Sequence, residues 1–111
     1  MAKILLIIIS EEEEKIRMPL NFIKNQAQKG NDIRVVFWGP SERTLSSSEA
    51  LQESYRSLDH IELKACVNSA KANGLVDTLS KSFDLVPFLR LVLYEVQGHP
   101  YLLLFLAYDY Q

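Results

Sequence analysis

Lys3-Ile-Leu-Leu-Ile-Ile-Ile9 is an unbroken aliphatic run behind a single lysine. β-Branched side chains of this kind are stiff at χ1 and pack well on a pleated surface, so the run reads as a strand. A strand with one face in water alternates apolar with polar residues, and this one does not. Both its faces are therefore buried, as in a parallel sheet with helices on either side.

Working outward, Ser10 can cap the next element, and Glu11 to Glu14 complement a helix dipole in a first turn. Ile16, Leu20, Phe22, Ile23 and Ala27 fall at roughly helical spacing. Pro19 predicts a kink or a restart within that helix. Lys29 to Asp32 is a turn. Ile33 to Trp38 is a second strand, stopped by Gly39-Pro40. The serine-rich Ser41 to Ser48 stretch reads as a surface loop. Ser47 or Ser48 then caps a helix carrying Ala50, Leu51, Tyr55 and Leu58. His60 to Ala65 is a third strand, Gly74 to Ser82 a connector, and Phe83 to Pro87 a short fourth strand. Phe88 to Gln97 is helical and apolar around most of its circumference, which predicts burial on more than one side, the second against another subunit. Tyr101 to Leu106 is the last strand, followed by a tyrosine-bearing tail suited to an interface. Strands alternating with helices predict one α/β domain over residues 1–111, with a mostly parallel five-stranded sheet in three layers.

Bulk properties remove several function classes. The net charge of −2 over 111 residues does not suggest a nucleic-acid or polybasic membrane binder. The apolar runs are too short to span a bilayer, and no export signal is visible, so a cytoplasmic location is expected. A single cysteine excludes an internal disulfide and a Cys-x-x-Cys pair, and His60 and His99 are too isolated to complete a metal site. Neither G-x-G-x-x-G nor a P-loop motif is present. Four glutamates follow the first strand, where a nucleotide or flavin phosphate needs N–H donors instead, so no cofactor is expected.

The chemistry therefore converges on Cys66. It ends the third strand, and Asn68, Ser69 and Gly74 can start and stop a helix directly after it. Backbone N–H groups of that turn, with Lys64 and Lys71 nearby, favour a thiolate over a free thiol, which titrates near ~8.5. An inert, buried cysteine is the competing reading. Gly39 and Ser41 lie after the second strand, at the same sheet edge, where α/β sheets bind ligands. With Asn68 and Ser69 they are the candidate ligand contacts. His60 begins the strand that Cys66 ends, about 20 Å away, so the two do not form a dyad.

Val35-Val-Phe-Trp-Gly-Pro-Ser41, Lys64-Ala-Cys-Val-Asn-Ser-Ala70 with Gly74 behind it, and Val86-Pro-Phe88 through Gly98 to Leu102-Leu-Leu-Phe105 together resemble the DsrE/DsrF-like proteins, including the TusD-type sulfur-relay subunits. The Ala-Cys-x-x-Ser-Ala-x-x-x-Gly segment is the most specific part. The resemblance implies a flavodoxin-like α/β fold without flavin and assembly as a homotrimer or homohexamer. It also implies a sulfurtransferase-type role, in sulfur relay or sulfur oxidation, in which Cys66 carries sulfur as a persulfide between donor and acceptor proteins. Asn68 and Ser69 would stabilise charge on that sulfur. The alternative is a non-catalytic oligomeric subunit of the same fold, structural or holding a small ligand near Ser41 to Ser48.

Overall fold

The computed structural model describes residues 3–88 and 101–106. Five strands form one sheet: β1 (Lys3–Ile8), β2 (Asp32–Phe37), β3 (Glu62–Cys66), β4 (Asp84–Val86) and β5 (Tyr101–Leu106). Their order is β4-β3-β2-β1-β5, and every pairing is parallel. β1 thus has a strand on each side, and Ile4 to Ile8 are all buried. The unbroken aliphatic run reflects this position. The order differs from the flavodoxin-like 2-1-3-4-5, in which the first strand lies between the second and third. Here β1 lies between β2 and β5.

Among the described residues, six helices connect β1 to β4: α1 (Glu13–Arg17), α2 (Pro19–Gln28), α3 (Pro40–Ser46), α4 (Glu49–Arg56), α5 (Val67–Ala72) and α6 (Val76–Leu79). From β1 to β4 each connection steps to the next strand in the same direction. Right-handed crossovers then bring all their helices to one face. The main core shows this: Ile4, Leu6, Ile8, Val35, Phe37 and Ala65 of the sheet meet Ile16, Ile23, Leu45, Leu51, Tyr55, Ala70 and Leu79 of the helices. Phe37 sits at its centre, edge-on to Tyr55 at 4.9 Å and to Phe83 at 5.4 Å between ring centroids. The Tyr55 hydroxyl donates to the Ile16 carbonyl and fastens α4 to α1.

The opposite face is divided. Leu5, Ile7 and Val36 are fully buried there, with Ile9, Val86 and Phe88 packed against them. Further toward β4 it becomes charged, with Arg34 Nε 3.1 Å from Glu62 and Lys64 Nζ 4.0 Å from Asp84. The third layer expected from a helix over Phe88 to Gln97 concerns residues 89–100, which lie outside the described ones, as do His99 and the tail after Leu106.

Local signals explain the boundaries. The first helical stretch breaks at Met18 and restarts with Pro19 in its first turn, where the missing N–H is harmless. The Ser48 hydroxyl accepts the Leu51 N–H at 3.2 Å and caps α4. Ser10 caps no helix; its hydroxyl accepts the Glu12 N–H at 3.1 Å, and only Glu13 and Glu14 of the acidic run are inside α1. The loop expected over Ser41 to Ser48 is instead mostly α3. Gly39 precedes it at φ 64°, a conformation that favours glycine, and Pro40 presets the first helical φ. The expected connector after Gly74 likewise contains the single turn α6.

Candidate functional site

Cys66 occupies its expected position: it is the last residue of β3 and the residue preceding α5. It is buried, with 3% of its surface exposed. The register pairs Phe37 with Ala65 and Cys66 with Val86. The next residue of β2's path, Trp38, is therefore level with Cys66. Strand alternation puts Trp38, Cys66 and Val86 on the face shared with Val36, away from the helix-covered core.

That face explains the burial. Trp38 and Phe88 stack with centroids 4.0 Å apart and planes 8° from parallel. They follow β2 and β4, which are separated by β3 and so by about 9–10 Å. Rings this close must lean toward each other across the end of β3, where Cys66 lies. Trp38 keeps 36% of its surface in solvent. Lys64, two residues before Cys66 on the same strand face, is half-buried and directed to Asp84. Lys71 is exposed on α5.

The helix side of the same edge contains a group that the sequence reading missed. Glu42, in the first turn of α3, is fully buried. Its Oε1 accepts the Ser69 hydroxyl at 2.5 Å, and its Oε2 has no hydrogen-bond partner. Burial raises its pKa from 4.5 to about 7; the Ser69 hydroxyl and the nearby Cys66 backbone N–H favour the charged form and restrain the rise. Ser69 Oγ in turn accepts the Gly39 N–H at 3.3 Å. One polar chain thus joins the end of β2, the start of α3 and the turn that follows Cys66.

The other predicted contacts separate. Ser41 is fully buried, and its hydroxyl donates to the Ile8 carbonyl at 2.6 Å while accepting the Trp38 N–H at 3.2 Å, tying β1 to β2. Gly39 and Ser69 meet, as described. Asn68 is exposed on α5. At the rim, Arg43 reaches Asn73 at 3.2 Å and Glu11 at 3.5 Å. His60 is in an exposed turn before β3, at the end away from Cys66. A cleft of about 290 Å³ also lies at that far end, between Lys24, Ala27 and Gln28 of α2 and Ser57, Leu58, Asp59 and Ile61. Among the described residues there is no cluster of three or more metal-ligating side chains, and no helix is long and apolar enough to cross a membrane.

No family model matches the chain, and no curated protein matches it. Among solved structures it is similar to BT1422, a conserved protein of unknown function from Bacteroides thetaiotaomicron. The likeness has a TM-score of 0.72 at 16% identity and covers 90% of this chain and 94% of that one. At that identity the likeness speaks for the fold, a compact α/β domain with a parallel sheet.

Proposed function

We propose that the protein is a sulfur carrier that accepts and passes on sulfur as a persulfide on Cys66, in a relay or oxidation pathway. The observation that supports this best is the setting of its one cysteine. Cys66 ends a strand at the carboxyl edge of a parallel sheet, where such folds bind ligands. An ionisable carboxyl is tied into the same turn.

The exchange balances without an added oxidant. The Cys66 thiolate attacks the outer sulfur of a donor persulfide. A sulfur–sulfur bond forms on Cys66, the donor's own breaks, and its electron pair leaves with the donor thiolate. An acceptor thiolate repeats the step on the outer sulfur, which restores Cys66. The resemblance to DsrE/DsrF-like proteins supplies the expectation of a homotrimer or homohexamer working between donor and acceptor proteins in the cytoplasm. The same resemblance gives Asn68 and Ser69 the role of steadying the charge; the Ser69 hydroxyl is donated to Glu42, so it would act through the turn and not on the sulfur directly.

A second reading has its own support. A cysteine 3% exposed and a Ser41 hydroxyl fully engaged in holding strands together suit a structural subunit. Alkylation separates the two. A carrier labels at Cys66 in the folded state and takes up one sulfur from a low-molecular-weight persulfide. A structural subunit labels only on unfolding and takes up none.

A further inference from the structure

The polar chain through Glu42 crosses a junction that apolar packing could also fill. A buried carboxyl with one oxygen unpartnered carries a desolvation cost that the single Ser69 hydrogen bond offsets only in part. An apolar residue of similar size would fill the same space without that cost. Yet Glu42 sits where α3, the end of β2 and the start of α5 meet, bonded to Ser69 three residues after the cysteine.

We propose that Glu42 is a positioning residue for Cys66: by gaining or losing a proton it changes its hold on the Ser69 hydroxyl, three residues after the cysteine, and so sets the geometry and field of the cysteine-bearing turn. The inference rests on the sulfur-carrier reading for its purpose, although not for its measurement. A charged carboxylate accepts hydrogen bonds about twice as strongly as a neutral acid, so the two states grip the turn differently. Ionisable groups on the surrounding elements include Glu11 before α1, Arg43 on α3 itself, Glu49, Glu53 and Arg56 on α4, Lys71 on α5 and Asp77 on α6, all exposed, and the half-buried Lys64 on β3; the Tyr55 phenol on α4 and the Cys66 thiol at the end of β3 are buried. Arg43 is engaged with Glu11 and Asn73. A carboxyl titrating at about 7 would switch within the physiological range.

The test follows the Cys66 amide by ¹H–¹⁵N NMR and the Cys66 alkylation rate across pH, in the wild type, Glu42→Gln and Ser69→Ala. The expected result is an inflection of the Cys66 amide near pH 7 that is absent in Glu42→Gln. In Ser69→Ala it should move to higher pH, since the hydroxyl favours the charged form. The alkylation profile should carry the same inflection, and lose it in Glu42→Gln. A flat Cys66 amide in the wild type, or an unchanged inflection in Glu42→Gln, overturns the proposal. Should Glu42→Gln not fold, the wild-type and Ser69→Ala amide midpoints decide the matter alone. An amide that titrates as expected over a thiol that never labels would uphold the positioning role and sink the carrier reading.

Discussion

Replacing Glu42 by Gln should remove a specific pH dependence from the protein's stability. The side chain is fully buried, and its pKa rises from 4.5 to about 7 because burial disfavours the charge. A tenfold change in proton affinity is about 1.4 kcal/mol, so the ceiling on the effect is about 3 kcal/mol; local relaxation and water entry reduce it to about 2 kcal/mol. The sign follows from where the proton sits. Below 4.5 the carboxyl is protonated whether the chain is folded or not. Between 4.5 and about 7 the unfolded chain releases the proton while the folded one keeps it, so stability falls as pH rises. Above about 7 both states are charged and the loss is complete. Gln has the same shape, can still accept at its oxygen, and never ionises. Urea unfolding at intervals from pH 4 to 8.5 should therefore show the two proteins converging at the acid end. By pH 8 Glu42→Gln should be the more stable by about 2 kcal/mol. All other groups are common to both, so only the difference between the curves matters. A difference that stays constant across this window would refute the account of Glu42.

Other expectations concern the same edge and its supports. Trp38→Ala opens the ring pair over β3 and should speed alkylation of Cys66 in the folded protein about tenfold or more, read by intact mass against time; an unchanged rate would mean that the rings do not cover the thiol. Gly39→Ala places a side chain at φ 64° with nothing to clash against, so the cost is backbone strain alone, about 1–3 kcal/mol by urea unfolding. His60→Gly relieves a left-handed residue in an exposed turn and should stabilise by about 0.5–1 kcal/mol in the same assay. Tyr55→Phe leaves the Ile16 carbonyl without its buried donor and should cost about 1–2 kcal/mol.

The scaffold was legible where sequence and burial speak the same language. Lys3 to Ile9 declared a strand covered on both faces, because a half-exposed strand could not afford that run of aliphatics. Pro19 marked a helix restart, Ser48 a cap, and the change of pattern at Cys66 a strand-to-helix junction. Strand alternation alone puts Lys64 and Cys66 on one face. The helix α3 was hidden by its serines, which read as loop because their hydroxyls compete for backbone partners. Here Ser41 and Ser48 spend theirs on strand ends and a cap instead. Gly39-Pro40 was the available signal, a flexible entry followed by a residue preset for a first turn. Glu42 was missed because a glutamate in a first helical turn ordinarily faces water. Only the meeting of α3 with the turn after β3 encloses it. The Trp38–Phe88 stack depends on strand order, which pairs residues far apart in the chain and leaves no local trace.

The most direct test of the central claim is the intact mass of the folded protein after exposure to a small-molecule persulfide, with peptide mapping. The account predicts one added sulfur atom, located on Cys66, released by an acceptor thiol and absent in Cys66→Ser. An unmodified chain under conditions where the thiol still labels, or added sulfur that persists in Cys66→Ser, would contradict it.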